Sequence, residues 1–210
     1  MMDKKCKICR RAGEKLFLKG DKCFTPKCTF NKKPYPPGKP ESERKHRSMV
    51  TEYGKQLREK QKVKNTYGVM ERQFANYVTA ALGQKGTNPS QSLYESLEAR
   101  LDNAVFRTGL ASSRALARQM VSHGHITVNG RKVTIPSYRV RQGDKVSIRE
   151  GSRPAKLFIE VQVKLGKHKA PGWLSLEPDN FGGTITGNPG SDKGELSFNL
   201  GSVVEFYSRS

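Results

Sequence analysis

Four thiols stand within the first 28 positions, as Cys6-x-x-Cys9, thirteen intervening residues, then Cys23-x4-Cys28. Two short cysteine pairs joined by a loop bring four thiolates within tetrahedral reach of one Zn²⁺, with Zn–S bonds of about 2.3 Å. No further ligand candidate stands nearby, so such a site is closed and structural. Two disulfides are the competing reading, and they suit an oxidising compartment. A redox Cys-x-x-Cys needs a thioredoxin-like βαβ context that the neighbouring sequence lacks. Lys4, Lys5, Lys7, Arg10, Arg11 and Lys22 surround the cysteines and would offset the formal double negative charge of a four-thiolate zinc site, leaving it basic.

A second constellation lies in RLDNAVFRTGLASSRALARQMVSHGHITVNGRKV. Arg100, Arg107, Arg114 and Arg118 are spaced along what reads as two joined helices, and the planar guanidinium fork grips phosphate oxygens in bidentate fashion. His123, His125, Asn129, Arg131 and Lys132 follow on a hairpin beside the helix ends. Leu101, Leu116, Met120 and Val121 take the complementary positions, which leaves the basic set to face outward.

Charge supports a polyanionic partner. The chain has 210 residues, 39 Lys plus Arg against 19 Asp plus Glu, a net charge of +20, and a mean hydropathy of −0.71. Residues 1–64 hold 20 cations and 7 anions, and residues 98–163 hold 12 and 5, so these two segments account for the whole excess. Clustered cations that release counterions from phosphates drive salt-sensitive association with nucleic acid. An anionic membrane is the rival polyanion, but no apolar run approaches the roughly 18 residues of a spanning helix. The basic start lacks the apolar stretch of a secretory signal, so a cytosolic location with reduced thiols is expected.

The elements that must position these groups read as follows. Pro34, Pro36, Pro37 and Pro40 hold an extended arm. Residues 42–64 predict a charged helix with a thin apolar stripe. Phe74, Tyr77, Val78, Ala81 and Leu82 place another helix over residues 71–83. Asn88-Pro89 starts a helix whose Leu93, Leu97, Leu101 and Val105 repeat every four residues until Gly109. Ser112 or Ser113 caps the next helix, ended by Gly124. The period then changes to two: His125–Val128, an Asn129-Gly130 turn and Arg131–Ile135 predict a hairpin. Further strands are expected at Lys145–Arg149, Leu157–Val163, Gly183–Thr186 and Ser202–Tyr207.

Catalysis has little support: Gly-rich phosphate loops, HExxH and GxSxG are absent, and Asp102 has no evident acid-base partner. A zinc-dependent DNA regulator would want base-reading side chains on a groove helix, whereas phosphate-directed Arg and Lys with a hairpin suit folded RNA better.

The stretch "RLDN…FR.G…SR..ARQ.V.HGHI.VNG..V.IPSY.V..GD" resembles the RNA-binding module of the family of the fourth protein of the small ribosomal subunit, the S-four family. The cysteine spacing, "KPYPPG", "EYGKQLREKQKVK..YG..E.QF", Trp173-Leu174 and the terminal "VEFYSR" are similar to that family too, so the likeness spans nearly the whole chain. The resemblance implies an α+β fold, with a helical lobe, an N-terminal zinc-bound arm and an inserted helix-helix-β-hairpin RNA-binding module of alpha-L type. The expected division is an arm at 1–41, a helical lobe at 42–97, the module at 98–163, and C-terminal strands at 164–210 packing back on the lobe. The resemblance implies a structural constituent of the small subunit that binds the 5′ domain of its ribosomal RNA early in assembly. It would neighbour ribosomal proteins three and five, line the channel by which messenger RNA enters, and influence decoding accuracy. Carried over residue by residue, the RNA-facing candidates are Arg100, Arg107, Arg114, Arg118, Gln119, His123, His125, Asn129 and Lys132, with Cys6, Cys9, Cys23 and Cys28 on one structural Zn²⁺. No membrane and no small-molecule substrate are implied. Pseudouridine synthases and some tyrosyl-transfer-RNA synthetases also carry the module, but they need a catalytic domain for which no segment remains.

Overall fold

The computed structural model describes residues 4–38, 49–159, 161–189 and 198–209. Among them the helices are α1 (Lys4–Ala12), α2 (Thr29–Lys32), α3 (Glu52–Tyr67), α4 (Glu71–Leu82), α5 (Pro89–Glu98), α6 (Leu101–Arg107), α7 (Arg114–Ser122), α8 (Val161–Lys167) and α9 (Leu200–Ser208). The strands are β1 (Ile126–Val128), β2 (Arg131–Lys132), β3 (Lys145–Ile148), β4 (Leu174–Glu177) and β5 (Gly182–Ile185). No described helix is long and apolar enough to cross a membrane. The chain forms two compact units, residues 1–79 with 197–210, and residues 80–196.

In the first unit α3 starts where the Thr51 hydroxyl accepts from the Gly54 amide, and it stops at Gly68, whose φ of 64° only glycine adopts at low cost. The first part of the expected 42–64 helix lies outside the described residues. Helix α3 packs on α9. Leu200, Val203 and Phe206 form a stripe at helical spacing, and Asn199 caps the start by accepting from the Ser202 amide. This corrects the strand expected at Ser202–Tyr207: Val203, Val204, Phe206 and Tyr207 favour extended backbone locally, but the apolar period is three, not two. Lys60 lies beneath the Phe206 and Tyr207 rings and pairs with Glu71 at 2.5 Å. Partial burial alone would raise the Glu71 carboxyl, but hydrogen bonds from Lys60, Lys64 and Tyr207 override it and hold it down to about 2. Buried lysine on this face of α3 is therefore paired, as desolvation demands.

In the second unit one antiparallel sheet runs β2-β1-β3-β5-β4. Asn129 (φ 51°) and Gly130 (φ 78°) make the expected two-residue turn between β1 and β2. Ile126, Val128, Val146 and Ile148 point one way, into a core with Leu101, Val105, Met120, Val121, Phe158, Leu165, Trp173 and Ile185. Gly182 is obligatory at the β3–β5 crossing, because a Cβ there would strike the Val146 carbonyl and the Ser147 backbone.

Three expectations are corrected here. Leu157–Val163 is not a strand: Phe158, Val161 and Leu165 are the buried positions, spaced three and four apart, and the chain turns into α8. The helix expected from Pro89 to Gly109 breaks at Ala99–Arg100, where Arg100 is extended (φ −71°, ψ 138°) and bridges Arg139. The C-terminal strands expected as a separate packing layer belong to the module's sheet. β5 pairs with β3 and β4 with β5, extending the module's own sheet, and the C-terminal segment that packs on α3 is the helix α9.

Candidate nucleic-acid interface

The break between α5 and α6 decides where the arginines point. Its backbone is tied to residues 136–140: the Leu101 amide donates to the Tyr138 carbonyl at 2.8 Å, and the Val140 amide to the Ala99 carbonyl at 2.8 Å. Arg100 is thereby drawn inside, 1% exposed, and its fork donates to both carboxylate oxygens of buried Asp102 at 3.0 and 2.7 Å. This corrects the expectation that Arg100 faces outward. The cause is a buried carboxylate two positions on, which outcompetes solvent for the guanidinium.

Arg107 and Arg114 are turned inward as well. Glu98 is fully buried and accepts from Arg107 Nε at 2.9 Å, and Arg114 Nη2 lies 3.9 Å from the same carboxylate. Arg114 Nε donates to Asn103 Oδ1 at 2.7 Å, and its guanidinium stacks on Phe106 at 4.5 Å. Both side chains are less than a fifth exposed. Their primary work is to neutralise Glu98 and lock α5, α6 and α7 together.

The remaining candidates lie farther out. Arg118 is half-buried, while Gln119 and His123 are exposed at the end of α7. His125 is half-buried, with Nδ1 3.0 Å from the Ser152 hydroxyl and its ring edge on Phe158. Asn129 is exposed, but its amide donates to Asp144 and its oxygen accepts from the Lys145 amide, both at 2.8 Å, so it ties the hairpin tip to β3. Lys132 is exposed, and its stem lies across Gly124, where a Cβ would collide with it.

Pairing register assembles a polar face around Lys132. Lys132 pairs with Thr127 and Thr127 with Ser147, while Lys145 pairs with Thr184 and Thr184 with Ser175. Cross-strand partners share a face, so two rows of hydroxyls carry Lys132 and Lys145, and Arg149 follows two residues beyond Ser147. Arg139 and Arg141 are exposed as well and flank a cavity of about 300 Å³ with Gln142 and Asn188. Lys145, Arg149, Arg139 and Arg141 are further exposed cations that the sequence reading did not name as candidates. The signal was present, since Arg139 and Arg141 alternate with buried Val140, and Lys145 and Arg149 with buried Val146 and Ile148. Three internal arginines, Arg100, Arg107 and Arg114, face two buried carboxylates, Glu98 and Asp102, so most of the net positive charge of residues 98–163 lies on outer positions.

In the first unit Cys9, Cys23 and Cys28 are buried, Cys6 is half-buried, and all four thiols are free. Burial pushes the Cys9 thiol up against a backbone hydrogen bond at Leu16, and Cys23, Cys6 and Cys28 push it further, so the four sulfurs share one electrostatic neighbourhood. The donor set and its burial therefore suit a structural thiolate site. As the side chains stand, no three His, Cys, Asp or Glu residues among those described converge on one point as a metal would require. Arg10 donates to the Tyr35 carbonyl at 2.7 Å and stacks on its ring, which fastens the proline-rich arm to α1.

Residues 1–98 match the family profile described as the ribosomal protein S4/S9 N-terminal domain, and residues 99–146 match the S4 domain. The small ribosomal subunit protein uS4 of Caldicellulosiruptor saccharolyticus is 48% identical over 97% of this chain and 96% of its own length. The proteins of the same name from Thermotoga maritima and Oleidesulfovibrio alaskensis are 46% and 45% identical, over 97% and 99% of this chain and 96% and 98% of theirs.

Proposed function

Since this chain belongs to the small ribosomal subunit protein uS4 family, we propose that it is a structural, non-catalytic constituent of the cytoplasmic small ribosomal subunit that binds ribosomal RNA through its S4 domain. The observation that carries this reading is the segregation of charge in the second unit. Glu98 and Asp102 are buried against Arg100, Arg107 and Arg114, while Lys132 and Lys145 on the strands and Arg139, Arg141 and Arg149 in the adjoining segments remain outside. Backbone-directed cations on a fixed frame recognise the shape of folded RNA rather than its sequence. In this reading the RNA is the 5′ domain, bound early in assembly. The neighbours are ribosomal proteins three and five, and the site lies by the channel through which messenger RNA enters, where it influences accuracy. The native protein is expected to sediment with small subunits in high salt. Migration at the top of the gradient would overturn the proposal.

The same reading gives the arm one structural Zn²⁺ held by Cys6, Cys9, Cys23 and Cys28. Its support is the spacing, the burial of three of the four thiols, and the absence of a disulfide among them. Bound there, zinc would supply cross-linking of the arm and no chemistry. Metal analysis is expected to find one zinc per chain, and chelation to release it with loss of helicity in the first unit. A metal-free chain with the same helicity and four titratable thiols would remove zinc from the account.

A further inference from the structure

The first unit holds a cleft of about 660 Å³ between α1 and α3. Lys7 and Arg11, one helical turn apart on α1, stand at its rim with Arg58 of α3. All three are exposed, and among the described residues no Asp or Glu lines the cleft. Lys62 also reaches it, but its ammonium is held by Glu14 and Glu59 at 2.5 and 2.6 Å, so it contributes its aliphatic stem. Half-buried Ile8 and Leu57 give the floor an apolar character, and the side-chain amides of Gln61 and Asn65 lie along α3 beside it.

A concave site of this size, with an apolar floor and a few placed polar groups, fits a small planar body better than a flat surface does. The uncompensated rim selects an anion, and arginine selects phosphate by its fork and stacks on bases by its plane. Amides read donor and acceptor edges. A paired stem would run its phosphates along the rim and leave the floor empty. The neighbouring stretch 39–48 carries four cations against two anions, the same sign as the rim, and is a poor occupant by charge.

We propose that the cleft between α1 and α3 seats one unpaired nucleotide of the bound RNA, its base on Ile8 and Leu57 and its flanking phosphates on Lys7, Arg11 and Arg58. This rests on the RNA-binding reading above and adds to it a site for single-stranded character in the first unit.

The test uses the full chain with two probes, a short oligouridylate carrying one photoreactive thiouridine and a blunt RNA duplex. The thiouridine is expected to cross-link to peptides spanning residues 7–12 and 54–65. Arg11→Glu with Arg58→Glu removes that cross-link. Gln61→Ala with Asn65→Ala, which changes no charge, weakens the oligouridylate about tenfold while sparing the duplex. Cross-links confined to residues 98–163, or equal weakening of both probes by the amide variant, would overturn the nucleotide site while leaving RNA binding intact. Failure to bind either probe would instead overturn the RNA-binding reading itself.

Discussion

Arg100→Ala is expected to unfold the second unit rather than to weaken an RNA contact, with a loss of about 3–5 kcal/mol, the cost of stranding one partner of a buried ion pair. Asp102 is 3% exposed and accepts two bonds from Arg100, so truncation strands a buried carboxylate. Arg100→Lys recovers little, because a single ammonium cannot satisfy both carboxylate oxygens as the fork does. Arg100→Leu with Asp102→Leu recovers most of the stability, since replacing both charges by apolar groups removes the desolvation cost along with the attraction. Urea unfolding of the three variants measures this directly. If Arg100→Ala kept full stability and lowered the salt dependence of RNA binding, Arg100 would be a phosphate contact after all.

That arginine also marks where the sequence stopped being legible. The apolar repeat Leu93, Leu97, Leu101, Val105 runs unbroken through the Ala99–Arg100 break, because α6 begins on the residue that a continuous helix would also have buried. Periodicity reports which side is apolar, not whether the backbone between two buried residues stays helical. The bridge to Arg139 is a contact 39 positions away, beyond any local signal. Caps and turns were readable because their chemistry is local: Asn88-Pro89, Ser113, Gly124 and Asn129-Gly130 each act within a few residues. The C-terminal helix was misread because β-branched and aromatic residues carry strand propensity, which its packing on α3 overrides. Site residues divided on the same line. Spacing located Arg107, Arg114 and Arg118 on helices, but only the buried Glu98 and Asp102 decide which guanidinia turn inward, and burial of a carboxylate leaves no trace in its immediate neighbours.

The complementary prediction concerns the outer cations. Replacing Arg131, Lys132, Arg139 and Arg141 by Ala is expected to leave stability nearly unchanged, because all four side chains are exposed and none is in a described ion pair. RNA binding should change in a specific way. Each phosphate contact contributes about 0.7–0.9 to the slope of log affinity against log salt, so four lost contacts flatten it by about 3. Between 50 mM and 200 mM salt, a fourfold change, the affinity lost by the wild type should then exceed that lost by the variant about 50- to 150-fold. Some slope persists, because the basic first unit is untouched. Arg107→Ala with Arg114→Ala makes the opposite pattern: stability falls as Glu98 loses its partners, while the slope of whatever remains folded stays near the wild type. Titrations of the two variants at several salt concentrations, with unfolding curves beside them, separate a charge that binds RNA from a charge that builds the surface binding it. An unflattened slope in the fourfold variant would place the RNA away from Lys132 and these three arginines, on another face of the second unit.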